Sequence, residues 1–201
     1  MKGTRVDFKS EGETLSATLY NDAASVAVVL CPPHPLYGGS SSDTRIVSVA
    51  RELASHDISA LCIDYGSYGQ GVKEIQNVLD AIELIEKKVS CLGLLGYSFG
   101  AVVASNVAAR TETDGFVAIS ILKRVNGLEA NFKFDCPKLF IHGRHDDVAP
   151  YSEFEELYKE VRGKKERFIL NTNHFYMEKY PVIIDKVSKR IRRFFQAQFS
   201  N

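Results

Sequence analysis

Short apolar runs alternate along this chain with longer stretches in which apolar residues recur every three or four positions. Residues 5–9 and 14–20 alternate polar and apolar side chains on either side of Ser10-Glu11-Gly12-Glu13, which predicts an antiparallel hairpin at a sheet edge. Residues 26–31 (VAVVLC) are apolar without a break, the pattern of a strand covered on both faces. Residues 59–63, 91–95, 115–119 and 138–141 share that character, and residues 166–170 add a last strand.

The stretches between them read as helices. Asp43 can cap a helix from residue 44 to about 56. Val72, Ile75, Leu79, Ile82 and Ile85 make one apolar stripe of the next. Ser152-Glu153-Phe154-Glu155 has the spacing of a capping box, which predicts a helix from there to about Arg162. Pro181 suits a first helical position, and Val187, Ile191 and Phe194 extend a stripe towards the C-terminus. Strand and helix in this alternation imply a mostly parallel sheet with helices on both faces, an α/β fold with the hairpin at its N-terminal edge. In such sheets active sites lie beyond the carboxyl ends of the strands, so the residues that follow each strand carry the chemistry.

After the strand at 91–95 comes Gly96-Tyr97-Ser98-Phe99-Gly100 and then a helical stretch. G-x-S-x-G at a strand-to-helix turn holds a serine hydroxyl out at the sheet edge. Glycines two residues before and after it let strand and helix backbones pass closely. Ser98 is thus the candidate nucleophile, and it needs a base and an acid to orient that base. Past the strand at 138–141 stand Asp146 and Asp147, and past the strand at 166–170 stands His174 in a polar loop. Serine, acid and histidine come in the chain order this turn requires. A histidine base must be neutral to act, so activity should rise with pH through the histidine range.

The loop after residues 26–31 reads Pro32-Pro33-His34-Pro35-Leu36-Tyr37-Gly38-Gly39. Its prolines have no N–H, and among its free amides that of Leu36 is expected to join Phe99 N–H in an oxyanion hole. His34, Tyr37 and Tyr97 are expected to touch substrate. Residues 120–137 leave room for a short flap or one helical turn, with no cap domain.

Length, charge and cysteines narrow the classes. With 201 residues the chain fits one domain, residues 1–201. Lys and Arg number 25, as do Asp and Glu, so the net charge is zero; that gives no basic surplus for nucleic acid. The basic stretch at residues 186–193 reads as a solvated helix face. No apolar run approaches the ~20 residues of a membrane span, and the start has no signal-peptide pattern. Cys31, Cys62, Cys91 and Cys136 are dispersed and read as reduced thiols, the usage of a cytoplasmic protein. No cofactor or metal is expected, and the oligomeric state is open.

The hairpin, the His34-Pro35 loop, the Gly96–Gly100 turn, and the Asp146 and His174 loops together resemble the α/β-hydrolase superfamily over nearly the whole chain. The run His34-Pro35-Leu36-Tyr37-Gly38-Gly39 looks most like small capless members near the dienelactone hydrolase-like and prolyl-oligopeptidase-like proteins. That resemblance selects Asp146, four residues before Pro150, over Asp147, and also points to Leu36 N–H. The chain departs from the subgroup at Pro32, where a histidine is common, and at residues 64–71, which lack an arginine. The resemblance implies a serine hydrolase that acts on a small carboxylic ester through an acyl-enzyme. A thioesterase or amidase with the same residues, or a non-catalytic binding protein on this fold, are the alternatives.

Overall fold

The structure is a computed structural model that describes residues 2–178 and 180–200. Strands β1 (Thr4–Ser10) and β2 (Glu13–Tyr20) form the hairpin, followed by β3 (Val26–Cys31), α1 (Thr44–Ala54), β4 (Ser59–Ile63), α2 (Val72–Ile82), β5 (Cys91–Tyr97) and α3 (Phe99–Ala108). Then come β6 (Gly115–Ile119), a small hairpin of β7 (Arg124–Val125) and β8 (Leu128–Glu129), β9 (Lys138–Gly143), α4 (Tyr151–Glu160), β10 (Lys165–Leu170) and α5 (Val182–Phe199). Among the described residues eight strands make one sheet in the order β1-β2-β4-β3-β5-β6-β9-β10. The pairs β1–β2 and β2–β4 are antiparallel and the rest parallel.

Alternation within single strands divides the apolar side chains between two cores. In β3, Ala27, Val29 and Cys31 face α2, α3 and α4, while Val28 and Leu30 face α1 and α5; successive side chains of a strand point to opposite faces. The inner strands β3, β4 and β6 are therefore apolar over most of their length, and the helices carry stripes. In α1 the stripe is Ile46, Val49, Ala50 and Leu53, with Asp43 accepting hydrogen bonds from the Arg45 and Ile46 amides as cap. In α5 it is Ile183, Val187, Ile191 and Phe194. The two edge strands differ in character. β1 carries Arg5, Asp7 and Lys9, and β10 carries Lys165, Glu166 and Arg167.

Several local expectations change. The buried stripe of α2 is Ile75, Val78, Ala81 and Ile82; Val72 is exposed and Ile85 lies beyond the helix end. No side chain caps α4, which begins at Tyr151 after Pro150, so Ser152 and Glu155 form no box. At α2 half of such a box occurs: the fully buried Glu74 accepts from the Gly69 and Gly71 amides at 2.9 and 2.8 Å, while the N-cap Gly71 has no side chain to complete it. Pro181 stands just before α5. The flap is the β7–β8 hairpin, without a helical turn. It is tied to α3 by Asn106 Nδ2, which donates to Glu129 O (2.8 Å), and by Asn131 N–H, which donates to Ser105 Oγ (3.0 Å). All four cysteines are free thiols. Among the described residues no helix is long and apolar enough to cross a membrane.

Candidate active site

Because β3, β5, β6, β9 and β10 run parallel, the segments that follow them gather at one sheet edge. β5 ends at Tyr97 and α3 begins at Phe99, leaving Ser98 as the whole turn. Ser98 has φ 57° and ψ −120°, a conformation that costs about 1–3 kcal/mol in a non-glycine residue. Neighbouring contacts fix it: Ser98 N–H donates to Ile119 O of β6 (2.8 Å) and Ala101 N–H to Ser98 O (3.0 Å). The two glycines are required by close approach. A Cβ on Gly96 would lie 2.3 Å from Gly100 O, and one on Gly100 would lie 2.2 Å from Pro32 O and 2.3 Å from Cys31 O. Strand β3 thus passes directly over the first turn of α3.

The histidine comes from the loop after β10. His174 Nε2 lies 3.0 Å from Ser98 Oγ, and Nδ1 lies 2.8 and 2.9 Å from the two Asp146 carboxylate oxygens. All three residues are buried, with Ser98 7% exposed. A carboxylate only accepts, so the proton sits on Nδ1 and leaves the Nε2 lone pair to accept from the serine hydroxyl. Burial pushes the Asp146 carboxyl up, but hydrogen bonds from His174 and Ala149 N–H outweigh it and hold it below the ordinary carboxylate range. The Ala149 and Val148 amides reach Oδ1 at 2.7 and 3.1 Å. Asp147 is exposed; the turn places Asp146, the residue the resemblance selects, against His174.

Three buried side chains that the sequence did not single out brace this arrangement. His142 Nε2 donates to Ala149 O (2.8 Å), and its ring stacks on Phe154 at 4.3 Å. It also lies 3.7 Å from Asp146 Oδ2. Ser120 Oγ and Tyr176 Oη are 2.9 Å apart, and the Ser120 hydroxyl also helps keep Asp146 ionised. Burial holds neutral His142 below the ordinary histidine value of 6.5, against the opposing pull of Ala149 O and Asp146. This fixes a sign. The unfolded chain takes up a proton at that histidine near pH 6.5 and the folded protein does not, so the stability His142 contributes is full above 6.5 and lost as pH falls through its folded value. Asp146, with its lowered value, adds a second loss of the same sign below 3.8. A Tm series from pH 8 to 3 is expected to decline in these two steps. His142→Gln should flatten the first; an unchanged slope between pH 5 and 6.5 in that variant would rule out His142 as its source.

The loop after β3 is ordered around His34. Leu36 N–H donates to His34 Nδ1 over a long 3.3 Å, and His34 Nε2 lies 3.1 Å from Tyr68 Oη. Accepting from Leu36 leaves Nδ1 without a proton, so the neutral ring donates through Nε2 to Tyr68. Asn126, in the β7–β8 turn, donates to the same Tyr68 oxygen. The His34 ring packs 4.7 Å from that of Phe99. The Leu36 amide, expected to be free, is therefore held by the His34 ring, while Tyr37 N–H is taken by His34 O (3.0 Å). Phe99 is the first residue of α3, so its N–H has no intrahelical acceptor.

Of the residues expected to meet substrate, Tyr37 is 88% exposed and His34 half-buried at the mouth. Tyr97 is not there. It is 1% exposed and lies under His174, because the side chain just before the turn points into the sheet's α1–α5 face. Leu36, Tyr37, Val148 and Phe175 are exposed apolar side chains in the three loops that carry His34, Asp146 and His174. Among the described residues no group of three His, Cys, Asp or Glu is placed to hold a metal.

Solved structures with this fold include an α/β serine hydrolase homologue from Coxiella burnetii, 19% identical, with TM-score 0.84 over 96% of this chain and 97% of that one. A serine hydrolase without lid from Xanthomonas campestris is also 19% identical, with TM-score 0.77 over 96% and 95%. An esterase from Pyrococcus furiosus is 17% identical, with TM-score 0.83 over 98% and 91%. No curated protein matches the sequence. The family model described as Serine hydrolase (FSH1) matches residues 27–177, a span that holds Ser98, Asp146 and His174. The chain belongs to the FSH1 serine hydrolase family.

Proposed function

We propose that the protein hydrolyses small carboxylic esters with apolar acyl or alcohol groups, through an acyl-enzyme on Ser98. The observation that carries this reading is the hydrogen-bonded chain Ser98 Oγ–His174 Nε2 and His174 Nδ1–Asp146 at 2.8–3.0 Å. His174 Nε2 takes the hydroxyl proton as Ser98 Oγ attacks the ester carbon. The carbonyl oxygen becomes an oxyanion, which accepts from Phe99 N–H and from Leu36 N–H, the latter exchanging His34 Nδ1 for a stronger, charged acceptor. Asp146 stabilises the imidazolium, which then protonates the leaving alcohol. In the second half His174 takes a proton from water, the hydroxide attacks the acyl-enzyme, and the acid leaves as the proton returns to Ser98.

The exposed apolar side chains in the loops around the buried serine favour an apolar ester, and the small flap leaves the mouth open. The likeness to an esterase fits this reading. A panel of nitrophenyl esters from acetate to octanoate, with matched thioesters and anilides, tests it. Ester turnover at least 10-fold above thioester and anilide, with covalent labelling of Ser98 by a fluorophosphonate, is the expected result. Labelling with preferred thioester or anilide cleavage would move the bond class, and no labelling at all would turn the reading towards a binding protein.

A further inference from the structure

Tyr97 stands next to the nucleophile in the chain and touches the base in space. Its hydroxyl donates to the backbone carbonyl of His174 at 2.6 Å, and its ring stacks on the imidazole at 5.6 Å and 27°. The same oxygen accepts from Arg45 Nη1, also at 2.6 Å, and the guanidinium carbon lies 4.4 Å above the Tyr97 ring centroid. Arg45 in turn is gripped through Nη2 and Nε by the two carboxylate oxygens of Asp43, at 2.5 and 3.0 Å. Asp43 is the cap of α1, so the far end of this chain is anchored by a helix terminus.

We infer that Asp43, Arg45 and Tyr97 form a strut that sets the distance between Ser98 and His174, with Tyr97 and Arg45 acting as positioning residues for the base. The inference rests on the assignment of His174 as base. The geometry gives the reason. His174 sits in an irregular segment after β10, and a loop alone positions a ring poorly. Tyr97 closes β5, paired with Ile119, and is one peptide away from Ser98. A hydrogen bond from its side chain to the histidine's own backbone ties nucleophile and base to one strand end. Burial pushes the Tyr97 hydroxyl above its ordinary value, although Arg45 opposes it, so it remains a phenol and a donor. Arg45 polarises that phenol and fixes its rotation; hydrogen bonds to charged groups are the stronger ones.

The test is Tyr97→Phe, which keeps the ring and removes the hydroxyl, beside Arg45→Met and Arg45→Lys. A displacement near 1 Å can lower a rate by about 100-fold. Tyr97→Phe should therefore lower kcat for a nitrophenyl ester about 10- to 100-fold, with KM within about 2-fold, and slow fluorophosphonate labelling in proportion. Arg45→Met should lower kcat less, and Arg45→Lys, which restores a charged donor, should recover most of that loss. The downfield proton signal of His174 Nδ1–H should shift or broaden in Tyr97→Phe while the far-ultraviolet spectrum stays unchanged. If Tyr97→Phe does not fold, the two Arg45 variants on the half-buried end of the strut carry the comparison. Unchanged kcat in a folded Tyr97→Phe, or equal activity of Arg45→Met and Arg45→Lys, overturns the strut alone. A wild-type protein that is neither labelled nor active overturns the assignment of His174 as base, and the strut with it.

Discussion

Ser98→Ala should lower kcat for a nitrophenyl ester by about 10⁴- to 10⁶-fold, because serine and histidine in such a chain act as a unit. The variant removes the hydroxyl that lies 3.0 Å from His174 Nε2. His174→Ala should cost nearly as much, and the double variant little more than either single one. Losses that multiplied instead would mean that the two residues work independently. Residual activity should come from the Phe99 and Leu36 amides, which neither replacement removes. Thermal unfolding should change little in Ser98→Ala, because Ala keeps the strained backbone. Steady-state kinetics with a melting curve on the same preparation separate loss of chemistry from loss of fold. A Ser98→Ala protein within 10-fold of wild type would remove the serine from the mechanism.

Gly100→Ala is expected to be strongly damaging, although it adds a single methyl. The added carbon would meet two backbone oxygens of the β3 end, at 2.2 and 2.3 Å, and backbone cannot swing aside as a side chain can. Overpacking commonly costs about 1–3 kcal/mol, and a backbone clash at a junction of strand, helix and nucleophile belongs at or above the upper end. A loss of about 3 kcal/mol is predicted from urea unfolding. Activity should fall further than stability accounts for, since relief of the clash means moving either Phe99 N–H or the His34 loop. A Gly100→Ala protein that kept wild-type midpoint and kcat would show that the contact is not tight in solution.

The parts of the fold visible in the sequence were those in which each residue's neighbours lie close in the chain or repeat by rule. Val26–Cys31, Ser59–Ile63 and Gly115–Ile119 match the apolar runs residue for residue, because burial on both faces excludes polar side chains from such strands. The ends of β5 and β9 ran two residues further than expected. Gly96-Tyr97 and His142-Gly143 look like loop, yet Gly96 and Tyr97 still pair with Ala118 and Ile119, and His142 and Gly143 with Ile169 and Leu170. Ser98, Asp146 and His174 were legible because each follows a strand, and strand order fixes where such residues meet. Tyr97 was misplaced for the opposite reason. Its partners are a guanidinium 52 residues away and a backbone carbonyl 77 residues away, and no spacing rule encodes either. The acceptor of Leu36 N–H was likewise hidden, since it depends on the rotation of one imidazole.

The charged residues on β1 and β10 have a consequence for the protein in concentrated solution. β1 and β10 are the outer strands of the sheet, the places where a second molecule would have to add its own strand. Arg5, Asp7 and Lys9 at one border, and Lys165, Glu166 and Arg167 at the other, would have to shed hydration to be covered by an incoming strand. Growth of the sheet from one molecule into the next is opposed at both ends by the side chains that decorate them.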